Sequence, residues 1–216
     1  MDLAKYQGLI FDLDGTLVDT MPANLEAWRR TSEHYCFPFD ADWLYQLSGQ
    51  PSVKMASAMI ERYGLTHRPE DIASTKLETY LALDDHGEVI PCTYELLVKY
   101  RDTKKTAIGT GCQRLNALNI LESKGLLPLI DVVVTSSDVT NYKPAPDTFL
   151  LAAEKLGLAP KQCVVFEDTL LGIEAACNAG MDCILVKDSQ LYVVDNHVVD
   201  SYVVNNHAAN NRDNAT

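Results

Sequence analysis

Five short apolar runs recur along the chain: GLIFD (8–12), TAIGT (106–110), DVVVT (131–135), CVVFED (163–168) and DCILV (182–186). Unbroken apolar runs are what strands buried on both faces require, whereas a half-exposed strand would alternate polar and apolar residues. Stretches of helical length separate the later runs: Thr93 to Asp102, Arg114 to Lys124, Pro146 to Leu156 and Leu170 to Ala179, the last followed by Gly180 as a C-terminal stop. Parallel strands need such crossovers, so the pattern predicts an α/β fold around a parallel sheet.

One interval breaks the alternation. Between about Val18 and Glu88 strand signals are scarce, and PANLEAWRRTSEHY, DADWLYQLS, PSVKMASAMIERYG and PEDIASTKLETYLALDD each read as helices. Three of them open at or beside a proline, which suits a first helical turn. The division expected is therefore a core from 1–17 and 89–190, a helical insert over 18–88 and an extension over 191–216. Ligands of open parallel sheets bind beyond the carboxyl ends of the strands, so an insert emerging there would cover the site.

Bulk properties narrow the partners. A chain of 216 residues, 47% of them hydrophobic, can bury a core, and its formal net charge of −12 opposes nucleic-acid binding. No apolar run approaches the roughly 18 residues of a membrane span, and MDLAKYQG lacks the features of a signal peptide, so no membrane and a cytoplasmic location are expected. The six cysteines (Cys36, Cys92, Cys112, Cys163, Cys177, Cys183) lack paired metal-type spacing and are expected as reduced thiols without zinc. From Leu191 onward, paired valines alternate with Asp-Asn-His and Asn-Asn-His in a spacing that fits neither helix nor strict strand. That segment is expected to be a loosely packed extension, with an added edge strand or subunit contact as the alternative.

The chemistry begins in LIFDLDGTLVDT (9–20), where a buried-looking run meets two aspartates one residue apart. Unpaired, Asp12 and Asp14 would be costly to bury. Asp14-Gly15 alone is a common turn dipeptide, and a calcium loop counted from Asp12 fails because Leu17 and Ala23 stand where Gly and Glu are needed. Other strand ends carry matching groups: Thr110 and Gly111 after the second, Glu167 and Asp168 at the fourth, with Lys143 in NYKPAPD ahead of it. Carboxylates about 4 Å apart repel by roughly 4 kcal/mol at an effective dielectric of 20, so Asp12, Glu167 and Asp168 need a cation. An all-oxygen set able to share a phosphate suits Mg²⁺. Pro144 disfavours helix at Lys143 and Pro146 suits a helix start, which places the lysine on a stiff bend.

These residues resemble the four motifs of the haloacid dehalogenase superfamily of phosphotransferases, present as DLDGT, Thr110, KPAPD and EDTLLG, and the likeness extends to about Val186. It implies a Rossmann-like core with an inserted helical cap. It also implies that Asp12 is the nucleophile of an aspartyl-phosphate and that Asp14 is the general acid and base, lending its carbonyl to the metal. Asp12 and Asp168 would ligate Mg²⁺ directly and Glu167 through water, while Thr110, the Gly111 amide and Lys143 would hold phosphoryl oxygens. Asp12 must be ionised and Asp14 protonated for part of such a cycle, so their environments must differ.

The insert resembles the small helical cap of the subfamily containing β-phosphoglucomutases and sugar-phosphate phosphatases. GLIFDLDGT, AIGTG, KPAPDTFLL, QCVVFED and AACNAGMD are similar to bacterial fructose-1-phosphate/6-phosphogluconate phosphatases. Asn24 stands where mutases, and often these phosphatases, carry a cap histidine, and Met21 where an acidic residue is frequent. The resemblance implies a Mg²⁺-dependent phosphatase of small sugar phosphates, acting as a monomer or weak homodimer. A β-phosphoglucomutase and a catalytically silent phosphate-sensing module are the alternatives. In the cap, Asn24, Gln50 in SGQPSVK and Lys54 are the candidate substrate contacts, with Lys54 assisting a distant anionic group. Trp28, Arg29, His34, Trp43, His67 and Lys76 are expected to be structural.

Overall fold

The computed structural model describes residues 3–194. Six strands form one sheet in the order β3-β2-β1-β4-β5-β6. The strands are β1 (Gly8–Phe11), β2 (Lys105–Gly109), β3 (Val132–Val134), β4 (Cys163–Glu167), β5 (Asp182–Lys187) and β6 (Gln190–Val193). The first five run parallel and β6 pairs antiparallel with β5. Residues 191–193 are thus an edge strand, the alternative reading of the extension, while 195–216 lie outside the described residues.

Side chains alternate across the sheet. Leu9, Phe11, Ile108, Val164 and Phe166 face one apolar cluster, with Leu97, Ala117 and Ile120 from α5 (Pro91–Tyr100) and α6 (Arg114–Ser123). Ile10, Ala107 and Val165 face the other, with Phe149 and Ala152 from α7 (Asp147–Leu156) and Ile173 and Ala176 from α8 (Leu170–Asn178). Both faces are covered, which is why the strand runs are continuously apolar. Full burial of Leu9, Ile10 and Phe11, each 0% exposed, is worth about 1.5–3 kcal/mol per side chain.

Between β1 and α5 lie α1 (Met21–His34), α2 (Ala41–Gln46), α3 (Ser52–Tyr63) and α4 (Pro69–Leu81). Proline stands in the first turn of α1, α4 and α5, and the Asp40 carboxylate caps α2 by accepting from the Trp43 amide at 3.0 Å. These helices have an apolar cluster of their own: Trp28, Phe37, Leu44, Met55, Ala56, Met59 and Ile72. The two chain crossings that join this segment to the sheet pair with each other. The Asp19 amide donates to Glu88 O at 2.8 Å, the Ile90 amide to Leu17 O at 2.9 Å, and Val18 bridges Val89. Among the described residues no helix is long and apolar enough to cross a membrane. The six cysteines stand as thiols.

Candidate active site

The chain leaves β1 for β2 on one side and reaches β4 on the other, so the carboxyl ends of β1 and β4 flank the switch point where open sheets bind ligands. Register does the rest. Phe11 pairs with Phe166, the Asp12 amide donates to Phe166 O at 2.9 Å, and Asp12 and Glu167 follow side by side. Lys143, in the loop before α7, donates to Asp12 Oδ1 at 2.6 Å and Glu167 Oε1 at 2.7 Å, with its Nζ 4.6 Å from the Phe149 ring centroid. All three are buried, at 4%, 0% and 3% exposure for Asp12, Glu167 and Lys143. Glu167 Oε2 accepts from the Thr169 amide and hydroxyl at 2.8 and 2.9 Å, so this carboxylate orients the lysine and the next turn together.

Asp168 does not cap α8. Thr169 does, its hydroxyl accepting from the Gly172 amide at 3.1 Å, while Asp168 Oδ1 accepts from the Thr16 hydroxyl at 2.9 Å. The turn after Asp14 can approach this closely because Gly15 has φ +84°, and a Cβ there would lie 2.3 Å from Asp168 Oδ2.

One ammonium stands among three carboxylates and bonds two of them. Burial pushes the Asp12 carboxyl up to about 8, Lys143 opposing and Glu167 and Asp14 reinforcing. Burial, then the charges of Glu167 and Asp12, push Asp168 well above the carboxylate range. Burial alone would lower Lys143, but Asp12 and Glu167 hold it above the ordinary lysine value. A lysine held charged beside carboxyls reluctant to ionise is the signature of a site short of positive charge. Hard oxygen donors in such a deficit fit a divalent cation, which Asp12, Asp168 and the Asp14 carbonyl could hold. That set has only two side-chain ligands, and among the described residues no group of three His, Cys, Asp or Glu forms a metal-holding cluster.

Asp14 faces the helical insert. Its Oδ1 accepts from the Thr20 hydroxyl at 2.5 Å and from Asn24 Nδ2 at 3.3 Å, and Asn24 Oδ1 in turn accepts from Lys76 Nζ. A cavity between sheet and insert is lined by Asp12, Asp14, Asn24, Gln50, Thr110 and Gly111. The structure therefore brings all of these predicted residues together. Thr110 is 1% exposed, and its Oγ1 accepts from the Cys112 amide at 3.0 Å, which leaves its own proton for a ligand. Lys54 is exposed on α3 and is not among the lining residues. The helical phase that puts Met55, Ala56 and Met59 inward turns it to solvent.

Lys76 lines the cavity instead, 5% exposed, with its Nζ 4.9 Å from the Tyr80 ring centroid. Burial lowers its pKa. Trp28, Cys112 and Asn116 also line it. A usable sequence signal existed: Lys76 falls on the stripe Ile72, Ala73, Tyr80, and Asn116 on the stripe Ala117, Ile120, Leu121, polar residues where the helix period demands apolar ones. Of the other residues of the insert, Arg29 pairs with Glu26 and Glu33, Arg62 packs on Trp43, and His34 and His67 flank Tyr35.

The loop 48–51 of the insert touches the sheet end at Gly111, where a Cβ would lie 2.4 Å from Gly49 O. Gly111→Ala is expected to push this loop away and lower turnover about 100-fold, the scale of a misplacement near 1 Å. Steady-state kinetics with a thermal melt would check it, and unchanged turnover in a folded variant would show that the contact is dispensable.

Residues 9–186 match the family model described as haloacid dehalogenase-like hydrolase. The chain is 40% identical over 184 residues to a protein of Escherichia coli (strain K12) named fructose-1-phosphate phosphatase YqaB, covering 85% of this chain and 97% of that protein. It is 33% identical over 189 residues to hexitol phosphatase A of the same organism, covering 84% and 83%. In fold it is similar to the crystal structure of a β-phosphoglucomutase from Clostridium difficile, with TM-score 0.78, 24% identity and coverage of 92% of this chain and 99% of that one.

Proposed function

Because the chain belongs to the haloacid dehalogenase-like hydrolases, we propose that it is a Mg²⁺-dependent phosphatase hydrolysing monophosphates of small sugars and polyols through an aspartyl-phosphate on Asp12. The observation that carries this reading is the buried Asp12-Lys143-Glu167 cluster opening onto a cavity that also holds Asp14, Thr110 and Gly111. Relatives named as sugar- and hexitol-phosphate phosphatases support the substrate class.

Asp12, Asp168 and the Asp14 carbonyl would hold the metal, with Glu167 reaching it through water. When bound, the ion supplies positive charge against the phosphate dianion and keeps Asp12 ionised. Asp12 Oδ attacks phosphorus, the bond from phosphorus to the leaving oxygen breaks, and Asp14 gives that oxygen its proton. Asp14 then takes a proton from the water that hydrolyses the aspartyl-phosphate, which returns both carboxyls to their starting states. Lys143, the Thr110 hydroxyl and the Gly111 amide hold the phosphoryl oxygens as charge redistributes. Thr20 and Asn24 aim Asp14 into the cavity. Segment 18–88 serves as a cap that excludes bulk water.

The cavity disfavours the mutase alternative. Among its lining residues Lys76 is the only cation, and it already donates to Asn24. A sugar bisphosphate would place a second dianion there without an adequate counter-charge. The silent-module alternative has no support from a site in which nucleophile, lysine and phosphate loop are all present.

Purified protein is expected to release phosphate from six-carbon sugar and polyol monophosphates with Mg²⁺, to stop with excess chelator and to recover on Mg²⁺ addition. Release that persists without metal would defeat the reading. Conversion of glucose 1-phosphate to glucose 6-phosphate in a coupled assay would favour the mutase.

A further inference from the structure

Among the described residues, the buried side-chain polar atoms without a hydrogen-bond partner are Asn116 Oδ1 and the Tyr80 hydroxyl. They belong to different elements, α6 and α4, yet both border one crevice, and Asn116 also lines the cavity that holds Asp12 and Asp14. Asn116 is 3% exposed and Tyr80 0%. The Nδ2 of Asn116 donates to Cys112 Sγ at 2.9 Å, and that bond leaves the oxygen as the open end.

A buried carbonyl without a donor is unfavourable by about 1–3 kcal/mol, and an aliphatic residue on this stripe of α6 would pack without that penalty. The oxygen therefore matches a donor that arrives with a ligand. A carboxylate or phosphate would be repelled by it, and the neighbouring ammonium of Lys76 is engaged with Asn24. A neutral hydroxyl fits.

We propose that Asn116, with the Tyr80 hydroxyl in the adjoining crevice, is a specificity element that accepts a hydrogen bond from a leaving-group hydroxyl remote from phosphorus. The enzyme thereby selects elongated polyol monophosphates over short ones. This rests on the phosphatase reading and adds to it a distal contact in the leaving-group pocket.

The test compares sorbitol 6-phosphate with glycerol 1-phosphate, whose leaving group is three carbons shorter, in the full chain with Mg²⁺. Asn116→Leu is expected to lower kcat/KM for the hexitol phosphate by about 10- to 100-fold, the scale of a buried hydrogen bond, and by at least tenfold more than for the glycerol phosphate. Tyr80→Phe removes one oxygen and no packing atom, and a selective loss of several-fold on the longer substrate is expected from it. Equal losses on both substrates would overturn the proposal in favour of mere support of the Cys112 turn. No loss in either variant would overturn it in favour of an ordered water on the oxygen. A wild-type protein that released phosphate from neither of these nor from six-carbon sugar monophosphates would overturn the phosphatase reading and this inference together, whereas a wild type active on sugar phosphates alone, or one with an unchanged substrate ratio in the variants, would sink the inference alone.

Discussion

Replacing Asp12 by Asn is expected to lower phosphate release on the order of 10⁴-fold or more, the scale seen when a nucleophile is removed, and yet to raise the melting temperature of the metal-free protein. The two effects share a cause. Asp12 is 4% exposed, and burial outweighs Lys143 in setting its carboxyl at about 8. In the unfolded chain the same group ionises near 4. Between those values the native state binds more protons at this position, so its stability falls as pH rises from about 4 to about 8. Asn keeps the shape, has no proton to lose and leaves Lys143 bonded to Glu167. The gain in melting temperature should therefore be small at pH 5 and grow toward pH 8 in chelator. Equal melting temperatures at pH 8 would show that Lys143 fully compensates Asp12, and intact turnover would remove Asp12 from the chemistry.

Lys143→Met reverses the balance. The lysine is 3% exposed and bonds two carboxylates that have no other cation within the described hydrogen bonds. Removing one partner of a buried ionic cluster costs about 3–5 kcal/mol because the remaining charges stay buried. At roughly 2–4 °C per kcal/mol for a chain of this size, that predicts a fall of about 6–20 °C in metal-free protein. Turnover should drop on the order of 10³-fold, as when a charge-stabilising donor is lost. A purely structural lysine would leave turnover intact in the surviving folded fraction, so kinetics per folded molecule, counted by circular dichroism, separates the roles. Divalent cation should return part of the lost stability, since it supplies positive charge to the same carboxylates.

Much of the core was legible because its signals are local. Strand runs at 8–12, 106–110, 131–135, 163–168 and 182–186 meet observed strands over 8–11, 105–109, 132–134, 163–167 and 182–187. Continuous apolarity reports burial on two faces wherever it occurs. Strand ends then locate Asp12, Thr110 and Asp168, and proline spacing locates the loop of Lys143. The edge strand β6 was harder to see, because QLYV is preceded by two residues of positive φ, Asp188 and Ser189, which composition does not announce.

The insert was legible as helices and illegible as a site. Lys54 and Lys76 are both helical lysines, and only phase and packing put the first in water and the second against Asn24. Asn116 offered the same clue as Lys76, a polar residue on an apolar stripe, but its meaning depends on what lies across from it.

By itself, then, the sequence determined the parallel α/β architecture, the helical interruption after the first strand and which polar residues stand at the strand ends, since each is written in short-range periodicity or in residues adjacent to those ends. Tertiary structure alone decided that Lys143 joins Asp12 to Glu167, that Asp168 answers to Thr16 rather than to α8, and that Asn24, Lys76 and Asn116 line the cavity that holds Asp12 and Asp14. Burial and charge balance are sums over residues distant in the chain, and no local pattern contains them.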